Sequence, residues 1–344
     1  MKNGYMVVLI ILFLFGCNDN AEVSVENISE LSNVDLVYEI DRIVSDHESY
    51  DDTNSENLKP HFEELTNRKK EFSQQEIIEI ISEDSYSLFV QDYFVGFYIR
   101  KHEQTPDHDF TILNKLLKEE NIDLQIKQKI LEMSRFGESD MDVLKDLIQN
   151  NSNLSSQSLV QLSRINDKMA YDISEEILTN KEQFSESEIS AALRVTSVYL
   201  SENQSDEKNY LEQEKGFLST SFSIIEDDTG QSLTEAAFFA VSDLMSKTSI
   251  RMIIESESIN NSLKVFAVDQ NYIVLKEIIS ENPTESDIQL VVEAMEILPL
   301  VDLLDDLKEI KSKIQDQDLI EKIGKVIQNI ELEGVEANKK WLER

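Results

Sequence analysis

The chain has 344 residues, of which 68 are acidic and 32 basic, for a formal charge of −36. A field of that sign repels nucleic-acid phosphates and anionic headgroups, which disfavours nucleic-acid binding and charge-driven adsorption to a membrane. A single cysteine rules out a disulfide framework and any cysteine-built metal centre. With only 8 glycines and 4 prolines, the turn chemistry of an all-β fold is missing, so the chain reads as all-α.

Taken in order, the first element is Lys2 followed by the apolar run Met6 to Phe15, which is too short for a comfortable membrane span and reads as an export signal. It ends in Leu14-Phe15-Gly16-Cys17, which resembles the bacterial lipobox. The other reading is an uncleaved N-terminal anchor that ends in cysteine. The resemblance implies a lipoprotein signal peptide over residues 1–16, cleavage between Gly16 and Cys17, and diacylglycerol and palmitate-type acyl chains on Cys17. It also implies a protein of the bacterial cell envelope, held to a membrane and facing outside the cytoplasm. Loss of residues 1–16 removes Lys2 alone among charged side chains, so the mature charge is −37. Residues 17–33 then form the lipidated cysteine and a polar tether.

From residue 34 to 344 the spacing of apolar residues is helical. Val34 to Asp46 forms one helix, a polar loop covers Tyr50 to Glu56, and Leu58 to Phe72 forms a second helix with Pro60 in its first turn. Ser73, Ser139, Ser185 and Thr284 each stand three residues before an acid at the start of an apolar-periodic run, which is capping-box spacing. Tyr86, Phe89, Tyr93, Phe94, Phe97 and Tyr98 crowd one helix of about Ser85 to Lys101. This reads as a buried core helix, with an aromatic groove for a partner or an acyl chain as the other reading.

Repetition is the main signal. The motif Ile112 to Leu117 recurs as Val143 to Ile148 and Ile173 to Leu178, with Val274 to Ile279 a close later copy. Each is followed by a polar loop and a second apolar helix: Ile126 to Met133, Leu159 to Ile165, Ile189 to Val198 and Ile288 to Leu298. Ile320 to Ile330 repeats that second helix near the C-terminus. A two-helix unit of about 30–33 residues is too small to bury its own apolar face, so neighbours must stack into an α-solenoid. The pattern is similar to HEAT-like repeat proteins. Asp206 to Gly230 is less regular and reads as a longer helix or a break between sub-arrays, and Trp341 is expected in a terminal cap.

Chemistry is sparse. No phosphate loop, His-Glu-x-x-His or Gly-x-Ser-x-Gly occurs. The best metal candidate is His102 and Glu103 with Asp107, His108 and Asp109, residue types that suit zinc or manganese but are common in an acidic interhelical loop. No cofactor is implied. Gln315-Asp316-Gln317-Asp318 and Asp227-Asp228 lack calcium-loop spacing and read as helix N-caps. The expectation is a lipid-anchored acidic α-solenoid that binds a protein partner, a basic one by charge, as an immunity-type neutraliser or scaffold and not as an enzyme. The alternative is a helical glycan-active enzyme using a carboxylate pair. Replacing Cys17 by Ser removes the thiolate that accepts the lipid, so Cys17→Ser is expected to accumulate as unprocessed precursor on immunoblots of fractionated cells. Mature-sized, membrane-bound protein in that variant would end the lipoprotein reading.

Overall fold

The computed structural model describes residues 28–45, 52–102, 111–150, 152–204, 207–227 and 230–340. Among these residues there is no strand. The one β-type contact is a parallel bridge between Leu300 and Val335. The chain divides into two compact units, with the division between Val143 and Leu144.

The first unit contains α1 (Asn33–Ser45), α2 (Asp52–Asn67), α3 (Gln74–Ser82), α4 (Leu88–His102), α5 (Thr111–Leu116) and α6 (Leu124–Met133). Consecutive helices pair as hairpins α1/α2, α3/α4 and α5/α6, and hairpins meet through helices two apart, α3 with α5 and α4 with α6. Helix α2 begins earlier than its apolar residues indicate, so Pro60 lies inside the helix and not in its first turn. A proline nitrogen cannot donate to the preceding turn, and α2 forgoes that bond.

Long polar side chains fasten this unit. The buried Arg68 guanidinium donates to the carbonyl of Ile28 at 3.0 Å and to that of Leu31, and pairs with Glu64 at 2.6 Å, which fixes the 3-10 turn Ile28–Glu30 against α2. Asp41 accepts the backbone N–H of Ser87 at 2.7 Å. Gln91, buried inside α4, donates to the carbonyls of Glu83 and Tyr86 and so satisfies the α3–α4 connection.

Helix α7 (Met141–Asn150) straddles the division. The second unit continues with α8 (Ser152–Ser163), α9 (Asp167–Thr179), α10 (Glu186–Glu202), α11 (Glu207–Glu226) and α12 (Gln231–Asp243). It closes with α13 (Lys247–Glu255), α14 (Asn261–Gln270), α15 (Tyr272–Ser280), α16 (Glu285–Ile297), α17 (Leu304–Lys311) and α18 (Gln317–Glu333). Here the hairpins are α9/α10, α11/α12, α13/α14, α15/α16 and α17/α18.

Helices two apart again touch. The even series runs α8–α10–α12, joined to α14 by the Phe238, Phe239 and Phe266 rings, then α14–α16–α18. The odd series includes α13–α15–α17. The unit is thus a stack of helical hairpins in two layers, the all-α solenoid architecture that the repeat period predicts. Residues 206–230, read as a longer helix or a break, hold the 20-residue α11.

Capping boxes form at Ser73, Ser185 and Thr284 as expected, and Asp316 caps α18. Ser139 does not cap. It lies within a 3-10 turn, Glu138–Asp140, so it lacks the extended backbone of an N-cap, and Asp140 instead accepts from Gly137 at 2.8 Å and from Asn114 at 2.5 Å. Asp227 is not a cap either. It follows α11 and faces Lys181 at 3.9 Å, and Gly230 precedes α12 with φ of 109°.

Beyond α18 the chain turns back as a strap. Val335 donates to the carbonyl of Pro299 at 2.9 Å and accepts from Val301 at 3.0 Å. Ala337 donates to Asp302 and Asn338 to Asp269, both at 2.9 Å. The turn needs Gly334, because a Cβ there would lie 2.3 Å from the Ile330 carbonyl oxygen and 2.7 Å from Val301 Cγ1. Gly334→Ala is expected to lower stability by ~1–3 kcal/mol in urea melts. Gly324→Ala should instead raise it by ~0.5–1 kcal/mol, because Gly324 is inside α18 and meets only the mobile end of Lys311. Equal behaviour of the two variants would refute this account of the strap.

Candidate functional site

Cys17 and Gly16 lie outside the described residues. So do Glu103, Asp107, His108 and Asp109 and the side chain of His102, although His102 is the last residue of α4. Among the described residues no group of three or more histidines, cysteines or acids is placed to hold a metal ion, and no helix is long and apolar enough to cross a membrane.

The aromatic helix packs its rings on one another. Phe94 sits 5.3 Å from Phe97, and both lie edge-on to Phe72 at 5.7 and 5.6 Å, all three buried. Phe62 of α2 covers Tyr93 at 4.8 Å and Phe89 at 6.2 Å, while the buried Tyr98 accepts from Gln74 at 2.5 Å. Tyr86, Phe89 and Tyr93 keep partial exposure. Burial pushes the Tyr93 hydroxyl pKa upward, against the pull of Arg100 and Thr66. The rings therefore carry the core between α2 and α4. Asp92, the acid within this helix, reaches Lys129 of α6 at 3.4 Å.

The second unit presents two unlike surfaces. On the odd layer, Asp172, Glu175 and Glu176 of α9, Glu212 of α11, Glu255 of α13, Glu277 of α15 and Asp305 of α17 are all exposed. Some are occupied: Lys168 pairs with Asp172, and Glu175 accepts from the Tyr171 hydroxyl at 2.5 Å. Among the described residues Glu176, Glu212, Glu255 and Glu277 have no ion-pair partner. Their carboxylates sit on four different helices, α9, α11, α13 and α15. A depression beside the strap is lined by Tyr272, Lys276, Glu277, Asp302 and Lys339, and there Asp302 is already paired with Lys339 at 3.3 Å.

From α8 to α14 the outer stripe of the even layer is charge-poor, its exposed charged residues being Glu186, Arg194, Glu202 and Glu235. Helix α8 has no ionisable side chain, and α10 shows Ser187, Ser190, Arg194 and Val198 outward at spacings of three and four residues. Val198 is 44 % exposed and Phe239 of α12 is 41 % exposed. Phe239 meets Phe266 of α14 edge-on at 5.4 Å. The sequence reading missed this stripe. Its signal was the uncharged run Ser152–Ser163 in a chain where 29 % of residues are charged.

One acid is built into the stack. Asp287, at the start of α16, closes the capping box with Thr284 and pairs with Lys247 and, at 3.8 Å, with Arg251 of α13. Burial works against its ionisation, but the Lys247 ammonium and the Thr284 N–H and hydroxyl outweigh it and hold the carboxyl pKa below the ordinary value.

No protein-family model matches this chain, and neither a curated protein nor a solved structure matches it.

Because the folded pKa of Asp287 is depressed, its stabilisation is complete above the ordinary aspartate value of about 3.9 and disappears as pH falls through the lowered value. Asp287→Asn should therefore be less stable than the parent in neutral urea melts, with the gap closing toward pH 3 and below. A gap that widens in acid would contradict this role.

Proposed function

We propose that the protein is a lipid-anchored, partner-binding module of the bacterial envelope. Acyl chains on Cys17 hold it to the membrane, and the odd layer of its second unit receives a basic protein. Its role is retention without turnover, as an immunity-type neutraliser or an assembly scaffold. The observation that carries this reading is the spread of exposed, unpaired carboxylates over successive odd helices. An acid/base pair needs two carboxylates converging on one site, whereas a docking surface needs them distributed. With a formal charge of −36, long-range attraction speeds encounter with a cationic surface, and local pairs then set the register.

Affinity capture from envelope extracts is expected to recover basic proteins. For the recovered partner, association should slow steeply from low to physiological salt, where the Debye length shrinks to ~8 Å, while dissociation changes less. Glu176→Lys with Glu212→Lys should weaken binding at least tenfold, against little change for Ser190→Lys on the even layer. Salt-independent kinetics, or hydrolysis of a glycan that one carboxylate substitution abolishes, would defeat the proposal.

A further inference from the structure

The charge-poor stripe is the feature that a solvated acidic surface does not explain. Acids cover the odd layer, yet on α10, between the exposed Glu186 and Glu202 at its two ends, the outward positions carry serines, Val198 and one arginine. Arg194 has no ion-pair partner among the described residues, and its neighbours one turn away are Ser190 and Val198. Across the stripe, the exposed Glu235 of α12 is engaged only by the amide of Gln231 at 2.8 Å. An unpaired cation and a carboxylate free of any ion pair thus flank two exposed apolar side chains, Val198 and Phe239.

We infer that this stripe is a self-association surface whose occupant is a second copy of the chain. The patch is self-complementary under a two-fold axis. The hydroxyl of Ser197 donates to the carbonyl of Ala240 at 2.6 Å, and the amide of Gln204 to that of Leu244 at 3.2 Å. Contacts that advance together along both helices make α10 and α12 parallel and fix their relative height. Arg194 precedes Ser197 by three residues and Glu235 precedes Ala240 by five, so the two lie within ~3 Å of the same height at 1.5 Å per residue. An axis parallel to these helices, lying in the plane of the face between them, sets Arg194 against Glu235 of the second copy twice. It also sets Phe239 beside Val198 of the second copy twice. Such an isologous contact closes on itself.

The size suffices as well. Four helices, α8 to α14, at ~8–10 Å spacing span roughly 30 Å, and the 17-residue α10 is about 25 Å long. That is ~700 Å² per copy, near the ~800 Å² per partner of a standard interface.

Each copy carries a formal charge of −36, so net repulsion opposes association until salt screens it. The dimer should therefore tighten as salt rises, opposite in sign to the encounter with a basic partner.

The test is sedimentation equilibrium of the full chain in density-matched detergent, at low and physiological salt. A monomer–dimer equilibrium whose dissociation constant falls severalfold with salt is expected. Phe239→Asp should raise that constant at least tenfold with an unchanged circular dichroism spectrum. Arg194→Glu should do the same, and Arg194→Glu combined with Glu235→Arg should restore dimerisation, which a general loss of stability would not. A monomer at both salt concentrations, a dimer indifferent to Phe239→Asp, or no rescue by the charge exchange overturns the inference. None of these outcomes bears on capture of a basic protein by the odd layer, which Glu176→Lys and Glu212→Lys probe separately.

Discussion

Burial on three sides of α10 is the constraint on which the second unit turns. It packs against α8 and α12 within its layer and against α9 beneath, and nine of its residues are buried, Thr196 and Ser197 among them. No isolated hairpin could do this, because a two-helix unit has only one inner face and leaves its flanks open to water. At roughly 25 cal/mol per Å² of apolar surface removed from water, open flanks would forgo stabilisation that stacking supplies. Small residues at those flanks let helices approach, and a hydroxyl such as that of Ser197 reaches the neighbouring Ala240 carbonyl. Stacking is therefore the condition for folding, and the surface that remains is what stacking leaves over.

The ends of such a stack need a different solution. At the C-terminal end the strap after Gly334 pairs its backbone with Pro299 and Val301 and hands two N–H groups to Asp302 and Asp269. The strap thereby ties the end of α18 to the α16–α17 connection and to α14. Burial alone opposes ionisation of Asp302, but the Ala337 N–H and Lys339 hold its pKa low, so the strap and the carboxylate stabilise each other. In the first unit Arg68 does comparable work on Ile28 and Leu31.

Much of this was legible in the sequence where the determinant is local. Apolar spacing located the repeated hairpins, because a helix face is written at intervals of three and four residues. The boxes at Ser73, Ser185 and Thr284 follow from four consecutive residues. Ser139 failed for a non-local reason, since Asp140 is recruited by Asn114, 26 residues earlier. The hairpins α11/α12 and α13/α14 escaped notice because Gly216 and serines interrupt their pattern, and the strap escaped because its bonds join backbone groups more than thirty residues apart. Of the site, the stretch Leu14 to Cys17 that resembles a lipobox is contiguous, and the proposed anchor rests on it. The outer even stripe could not, because Arg194, Glu235 and Phe266 become neighbours only once the helices stack.

In a chain this acidic, exposed carboxylates are unevenly distributed between the two layers of the second unit. Acids on the even layer from α8 to α14 are few, with Glu186, Glu202 and Glu235 the exposed ones, and solubility gains nothing from that scarcity. Uncharged outward positions are instead costly where they are apolar, since Val198 and Phe239 expose hydrocarbon to water. In the same unit the odd layer shows that the fold tolerates acids at equivalent outward positions, Glu176, Glu212 and Glu255 among them. Helical packing does not forbid charge on the even face. What distinguishes the outward face of α8 to α14 from the odd layer is the sparseness of its exposed carboxylates, Glu186, Glu202 and Glu235, so like-charge repulsion of an approaching acidic surface is weakest there.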